Sequence, residues 1–249
     1  MKQTLNNWLK NSHLSKLSHI PSILFRQNCF LCVSNQTKKY GLCQACLNEL
    51  PWFPTSSCPQ CGLSANGQIC GSCISSPPSF DATHAVFLYA YPIDAMIQRY
   101  KYGNSLSLSH TFGQLIGEKI GLINSFGDID LLIPMPMHPT RLKQRGFNQA
   151  LELARVLEQY LTHKNTIKLD YKSVIRQTLT PPQASLPLKE RVKNIKGAFK
   201  TNQDLTGKRI VIVDDVMTTG ASLNELAKTL KQAGATHVEC WVIARTLPH

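Results

Sequence analysis

Two kinds of hydrophobic pattern alternate along the chain after about residue 79. Uninterrupted apolar runs, which are typical of strands covered on both faces, occur in "HAVFLYAY", "DLLIPMP", "RIVIVDD" and "HVECWVIAR". Apolar residues recur at helical spacing in "PIDAMIQRYKYG", "HTFGQLIGEKIGLI", "NQALELARVLEQYL" and "ASLNELAKTLKQAG". Because strand and helix patterns alternate, we predict an α/β fold with a mainly parallel sheet flanked by helices.

The first 78 residues have a different pattern. Eight of the nine cysteines lie between Cys29 and Cys73, and a Ser/Pro-rich stretch, "SCISSPPSFDA", closes this segment. We therefore predict three parts. Residues 1–24 form a leader that the pattern leaves unassigned, residues 25–78 form a small cysteine-rich domain, and residues 79–249 form the α/β domain.

The eight cysteines form four C-x-x-C pairs. The pairs are Cys29/Cys32, Cys43/Cys46, Cys58/Cys61 and Cys70/Cys73. Two thiolates separated by two residues can bind one tetrahedral ion from a tight turn, and a second pair completes the site. The segment is therefore predicted to be a double zinc ribbon with two structural Zn²⁺ ions, in which sequential and interleaved pairing both satisfy the spacing. Disulfides would require an oxidising compartment, and the N-terminal residues lack the apolar core of a signal peptide.

The charge balance indicates an anionic partner. The formal net charge is +12 at pH 7, with six Lys or Arg against one Glu in residues 1–80 and 21 against 14 acidic residues afterwards. Nucleic acid, phosphorylated metabolites and a membrane surface all fit this excess, as does a basic surface kept for solubility. No apolar run approaches the roughly 20 residues of a membrane helix. We therefore expect no transmembrane segment and a cytoplasmic location, with a peripheral position at the inner membrane as the alternative.

The turn after "RIVIV" has the residues of a phosphate-binding loop. It follows a predicted strand and precedes a predicted helix, where unpaired backbone N–H groups and the helix dipole favour an anion. Hydroxyl groups and a glycine that allows close backbone approach add to this site. The predicted phosphate-binding residues are Met217, Thr218, Thr219, Gly220, Ala221 and Ser222.

Two adjacent carboxylates, Asp214 and Asp215, precede this loop. Carboxylates beside a phosphate would repel it unless they bind sugar hydroxyls, a magnesium ion or both. A phosphoribosyl group has a phosphate at one end and a diol at the other, and so fits both features. The stretch "VIVDDVMTTGAS" resembles the phosphoribosyl pyrophosphate signature of type I phosphoribosyltransferases, which implies that Mg²⁺ binds together with phosphoribosyl pyrophosphate. An ordinary acidic turn is the alternative.

Further motifs extend the resemblance over nearly the whole chain after about residue 24. They are "QRYKYG", "IPMPMHPTRLKQRGFNQA", "RQTLTPPQASLPLKERVKNIKGAF" and "IART", in addition to the cysteine pairs. Together they resemble the ComF family. This resemblance implies a phosphoribosyltransferase-like domain, a role in natural transformation through internalisation of single-stranded DNA, and protein partners in the DNA-uptake machinery.

The stretch "PMPMHP" resembles a pyrophosphate loop. It follows an apolar strand, and its prolines restrict the turn. We expect backbone N–H groups around Met135, Pro136 and Met137 to face the leaving group. Nearby cations could bind the same anion, and the candidates are Arg141, Arg145 and, more weakly, Lys101.

A basic segment between these loops has two interpretations. Residues 172–200 hold seven Lys or Arg and one Glu. The segment resembles the mobile hood over the substrate in phosphoribosyltransferases, but it could equally form a groove for a nucleic-acid backbone. The residues that match the family pattern are Arg176, Gln183, Arg191 and Asn194.

The sequence thus supports two functions. The first is a competence-associated protein that handles single-stranded DNA and retains a site for phosphoribosyl pyrophosphate. The alternative is a metabolic phosphoribosyltransferase that acts on an unidentified nitrogen nucleophile. No residue stands out as a required general base, so the catalytic residues and turnover itself stay open.

Overall fold

A computed structural model describes residues 28–37, 39–103, 105–121, 129–161, 167–179 and 194–247. The predicted leader, residues 1–24, lies outside the described residues. The chain divides into two compact units, one ending at Leu47 and the other beginning at Asn48. This division falls inside the predicted cysteine-rich segment, so the third and fourth cysteine pairs belong to the same unit as the sheet.

The larger unit contains the predicted parallel sheet. Its strands are β1 (Ala82–Leu88), β2 (Leu131–Pro134), β3 (Lys168–Leu169), β6 (Arg209–Met217) and β7 (His237–Arg245). They lie in the order β1-β7-β6-β2-β3, and every neighbouring pair is parallel. Because β6 and β7 are internal strands covered on both faces, six of the nine residues of β6 and eight of the nine residues of β7 are buried, as the uninterrupted apolar runs predict.

The described helices include four of ten residues or more, which form where the sequence shows apolar residues at helical spacing, and three of five to seven residues, which have no such pattern. They are α1 (Gln44–Asn48), α2 (Gly71–Ser75), α3 (Ile93–Tyr102), α4 (Ser107–Gly121), α5 (Pro139–Arg145), α6 (Gln149–Leu161) and α7 (Ala221–Gln232). A 3-10 turn spans Lys39–Gly41. Helix α7 buries Leu223, Leu226 and Leu230 in the same hydrophobic cluster as Ile212 and Val242 of the sheet. The α/β fold is therefore confirmed.

An antiparallel pair of short strands stands beside the main sheet. Strand β4 (Val174–Arg176) pairs with β5 (Phe199–Thr201). These strands carry the two ends of the basic segment towards the sheet. Val174 and Phe199 are buried in the same hydrophobic cluster as the sheet, which anchors both ends.

The chain before β1 covers the edge of that strand. The backbone N–H of Phe53 donates to the Val86 carbonyl at 2.8 Å, and the N–H of Leu88 donates to the Pro51 carbonyl at 2.8 Å. The N–H of Thr83 donates to the Pro59 carbonyl at 2.9 Å. This segment therefore satisfies edge groups of β1 that would otherwise be unpaired.

Within the described residues, no helix combines the length and the apolar character that crossing a membrane requires.

Candidate functional site

The eight cysteines gather into two groups of four. The ligand atoms within each group all lie within 4.8 Å of one another. The groups are Cys29, Cys32, Cys43 and Cys46 in the first, and Cys58, Cys61, Cys70 and Cys73 in the second. The structure thus favours sequential over interleaved pairing.

The sulfur geometry fits zinc. The Sγ atoms of Cys32 and Cys43 lie 3.6 Å apart, as do those of Cys61 and Cys70. Thiolates at about 2.3 Å from a tetrahedral zinc would be about 3.8 Å from one another. Each group can therefore hold one Zn²⁺, which would organise the surrounding turns and leaves no position for water.

One thiol in each group of four has an environment that favours the thiolate. Burial disfavours the thiolate of Cys29, but backbone N–H groups, including that of Cys43, outweigh burial and lower its pKa to about 6. At Cys58 burial is likewise outweighed, chiefly by the backbone N–H groups of Cys61 and Cys70, and the pKa falls to about 7. Thiolates at these two positions are the form that binds zinc, whereas burial raises the pKa of Cys46, Cys61 and Cys73, which zinc itself would have to deprotonate.

The predicted carboxylates lie at the carboxyl end of β6. Asp215 is 8% exposed, and its backbone N–H donates to Asp214 Oδ1 at 2.8 Å. Burial, followed by repulsion from Asp215, raises the pKa of Asp214 to about 7. Two carboxylates held this closely suit a divalent cation or a diol, because either would relieve their repulsion.

The predicted phosphate loop connects β6 to α7. Gly220 precedes the helix with φ +78°, and a Cβ at this position would lie 2.7 Å from Met217 Cε. Glycine is therefore favoured by the left-handed backbone, and a larger residue would also make the end of the Met217 side chain shift. Thr219 Oγ1 accepts from the Ala221 N–H at 3.3 Å, while Thr218 is exposed and Ser222 is partly exposed at the start of α7.

Lys101 reaches the carboxylates from α3. Its Nζ lies 3.0 Å from Asp215 Oδ1, and its side chain is only 20% exposed. Burial would lower the pKa of Lys101, but the charge of Asp215 outweighs burial and raises it. The structure therefore places this predicted anion ligand beside the acidic pair.

The predicted pyrophosphate loop follows β2, the neighbour of β6. The backbone N–H of Met135 donates to the Val213 carbonyl at 2.8 Å, so this N–H serves the sheet and is not presented to an anion. Asn148 Nδ2 donates to the Met135 carbonyl at 3.1 Å, and Asn148 Oδ1 accepts from the Ala150 N–H at 3.0 Å at the start of α6. Pro136 and Met137 remain predicted members of the loop.

The two arginines of this region have different environments. Arg145 donates to Gln149 Oε1 at 2.7 Å and to the Tyr102 hydroxyl at 3.3 Å, and its guanidinium lies over the Tyr102 ring. Arg145 thus joins α5 to α6 and α3. Burial, followed by repulsion from Arg145, lowers the pKa of Arg141.

The basic segment is partly described. Arg176 lies over the Phe199 ring at 5.6 Å, and its pKa is lowered by burial and by Arg141 while Asp214 raises it. Arg176 is therefore close enough to both loops to interact with their charges. Asn194 is exposed, whereas Gln183 and Arg191 lie outside the described residues.

One residue of this site had no predicted role. Arg245, at the end of β7, is 3% exposed and donates to the carbonyl oxygens of Met217 and Thr218 in the phosphate loop. The sequence signal was a basic residue directly after the apolar run "WVIA", in the motif "IART". Such a residue is easily taken for the exposed end of a strand.

Comparison with known proteins identifies the family. Competence protein F of Haemophilus influenzae is 32% identical over 230 residues, which cover 89% of this chain and 98% of that protein. The chain belongs to the ComF family. Another relative of this ComF chain, DNA utilization protein YhgH of Escherichia coli O6:H1, is 31% identical over 88% of the chain and 97% of that protein.

Both parts of the ComF chain match known domain families. The double zinc ribbon domain matches residues 20–74, and the phosphoribosyl transferase domain matches residues 142–247. Among solved structures, a hypoxanthine phosphoribosyl transferase of Trypanosoma cruzi aligns with 13% identity and a TM-score of 0.34, over 54% of this chain and 63% of that one. The predicted family and the two four-cysteine sites are confirmed.

Proposed function

We propose that this protein acts in natural transformation, in the internalisation of single-stranded DNA, through a domain that binds phosphoribosyl pyrophosphate. The cellular role is supported by relatives named for competence and for DNA utilization. The ligand is supported by the phosphoribosyl transferase domain and by the geometry at the carboxyl end of the sheet.

One observation carries the ligand proposal: the acidic pair and the phosphate loop share one strand end. Asp214 and Asp215 lie near the carboxyl end of β6, which ends at Met217, and the turn that follows leads through Gly220 into α7. A phosphate at the start of α7 would meet backbone N–H groups and the positive end of the helix dipole. The ribose diol would then lie towards the carboxylates.

Magnesium fits the same carboxylates. Their oxygens are the ligands that Mg²⁺ prefers, and the metal supplies charge that neutralises a pyrophosphate group. Arg176 and Arg141 add positive charge on the side of the β2 loop. These side chains would hold and orient the pyrophosphate as it leaves.

Calorimetry with phosphoribosyl pyrophosphate and magnesium tests the site. Asp214→Ala combined with Asp215→Ala should abolish binding, whereas Asp204→Ala, which removes an exposed carboxylate, should not change it. Equal affinity for the wild type and the double variant would refute the proposed site.

The role in DNA uptake needs separate tests. The net charge of +12 supports direct contact with single-stranded DNA in the cytoplasm or at the inner face of the membrane, in company with uptake proteins. Binding to the protein would release cations that are condensed on the DNA, and this release is less favourable at higher salt. Affinity for single-stranded DNA should therefore fall steeply as the salt concentration rises. A transformation assay on a strain with only the two Asp substitutions then asks whether the loop serves uptake. Normal uptake would separate the loop from the cellular role.

A cavity favours the alternative, a phosphoribosyltransferase acting on a nitrogen nucleophile. It has a volume of about 610 Å³ and adjoins the β2 loop. Its lining includes Pro136, Met137, Phe147, Tyr171, Ile175 and Arg176. Such a cavity could receive an acceptor next to the ribose. Release of pyrophosphate that depends on an added amine or nucleobase would support this function.

A further inference from the structure

Arg245 joins the phosphate loop to the second cysteine cluster. Its Nη1 donates to the carbonyl oxygens of Met217 at 3.1 Å, of Thr218 and of Thr246 at 2.9 Å. Its Nε donates to the carbonyl oxygen of Cys61 at 3.0 Å. One buried guanidinium therefore contacts both the loop that would hold a phosphate and the turn that would hold a zinc ion.

The contacts to the loop determine where its N–H groups point. In a planar trans peptide, the C=O and N–H groups point in opposite directions. Arg245 holds the Thr218 carbonyl oxygen inwards and shares the Met217 carbonyl oxygen with the backbone N–H of Thr246, which lies 3.0 Å from it, so the following N–H groups, those of Thr218 and Thr219, point outwards. These are the donors that a phosphate at this turn would need.

The contact to the cysteine turn depends on that turn keeping its shape. Gly62 follows Cys61 with φ +72°, and its N–H donates to the Cys58 carbonyl at 2.9 Å. The turn is attached to β1, since Thr83 Oγ1 donates to the Gln60 carbonyl at 2.6 Å. A zinc ion on Cys58 and Cys61 would hold the Cys61 carbonyl where Arg245 meets it.

We propose that Arg245 is a positioning residue through which zinc in the second cluster sets the affinity of the phosphate loop. The proposal rests on the proposed function for the identity of the ligand, but its structural part does not. If the turn at Cys61 loosens, the buried Nε loses its acceptor, and a buried donor without a partner is costly. The guanidinium then shifts, and the peptide units that it contacts in the loop are no longer held with their N–H groups pointing outwards.

Two sets of variants test this coupling. Cys70→Ser with Cys73→Ser removes half of the second cluster, and Arg245→Met removes the donors while retaining length and apolar volume. Each should bind phosphoribosyl pyrophosphate with magnesium about tenfold more weakly or worse. Arg245→Lys, which keeps one cation and one donor group, should recover part of the affinity. Far-ultraviolet circular dichroism and metal analysis establish that the sheet is folded and that the cysteine variant has lost zinc.

Matched controls separate the coupling from general damage. Ser72→Ala with Ser75→Ala alters α2 beside the same ligands, and Arg155→Met removes an exposed arginine from α6; both should retain zinc and affinity. The variant that combines Arg245→Met with the two cysteine substitutions should bind the ligand no more weakly than the weaker of its two parent variants. Both parents break the same connection between the zinc cluster and the loop, so their effects should not add. Multiplicative effects, or an unchanged affinity in the zinc-depleted variant, would overturn the proposal.

Hydrogen exchange distinguishes this proposal from the proposed function. In the ligand-free protein, loss of zinc or of Arg245 should speed amide exchange in residues 217–222 more than in β2. This result is expected even if the wild type does not bind phosphoribosyl pyrophosphate. Equal exchange in wild type and variants would refute the coupling whether or not the ligand binds.

Discussion

Lys101 Nζ lies 3.0 Å from Asp215 Oδ1, with both side chains largely withdrawn from solvent. The pair joins α3 to the carboxyl end of β6. In the ligand-free protein, the lysine therefore supplies positive charge beside two carboxylates that would hold a ribose diol or a metal ion. Its charge also lowers the pKa of Asp214, against the larger effects of burial and of Asp215.

Lys101→Met should therefore shift the pH dependence of ligand binding upwards. Without the ammonium, the pKa of Asp214 rises further above about 7, so the acidic pair ionises at higher pH. Calorimetry with phosphoribosyl pyrophosphate and magnesium between pH 6 and 9 measures the midpoint. Lys208→Met is the matched control, because it removes a lysine that pairs with Asp130 at the amino end of β6. If the midpoint moved equally in both variants, the charge of Lys101 would not be what controls the ionisation of Asp214.

Asp214 should make the ligand-free protein less stable as pH rises. Its pKa is about 7 in the folded chain against 3.8 in the unfolded chain, so the folded state binds the proton more tightly. The free energy of unfolding should then fall as pH rises from about 4 to about 7. Asp214→Asn removes this dependence, and its melting temperature should exceed that of the wild type by more at pH 8 than at pH 5. A constant difference between the two proteins would show that Asp214 does not titrate in this range.

The sequence predicted the long strands of the main sheet well, but not the short strands or the side-chain contacts. Strands β6 and β7 are long and apolar, so burial on both faces is visible in the residues themselves. Strand β3 has two residues, and β4 and β5 have three each, too few for a periodic signal. Their pairing depends on the rest of the fold.

The same limit applies to the site. The acidic pair and the phosphate loop are contiguous in sequence, so their chemistry could be predicted together. The contacts of Lys101 and Arg245 join distant parts of the chain, and neither type of contact leaves a local pattern. The backbone N–H of Met135 was expected to face an anion, but its position beside Val213 places it in the sheet ladder.

Glu239 should stabilise the protein above pH 5 through a cluster near the amino end of β7. Burial alone would raise its pKa, but donors from His84, His237 and Trp241 outweigh burial and lower it to about 2. The distances to Glu239 are 3.3 Å, 2.9 Å and 3.1 Å respectively. Because the unfolded value is 4.5, the stabilisation is complete above it and is lost as pH falls towards 2.

Glu239→Gln tests this cluster. Replacing the carboxylate should cost about 1.5–3 kcal/mol at pH 7, the range for hydrogen bonds to charged groups. Denaturant unfolding should show the difference from wild type shrinking below pH 4. Glu225→Gln is the control, because Glu225 lies on α7, accepts from the Gly197 N–H and is not part of the Glu239 cluster. A difference that stays constant down to pH 2 would mean that packing, not charge, explains the loss.

Gly220→Ala should impair the phosphate loop in two ways that a second glycine can separate. The positive φ of +78° costs an alanine about 1–2 kcal/mol, and the added Cβ would also lie 2.7 Å from Met217 Cε. Gly207 has nearly the same φ, +77°, but a Cβ there meets nothing within 4 Å. Gly207→Ala should therefore lose stability from the backbone alone and keep its ligand affinity.

Gly220→Ala should lose more stability and also bind phosphoribosyl pyrophosphate more weakly, because Met217 must move and Arg245 holds the Met217 carbonyl. Equal stability and equal affinity in the two variants would show that the contact with Met217 has no part in shaping the loop.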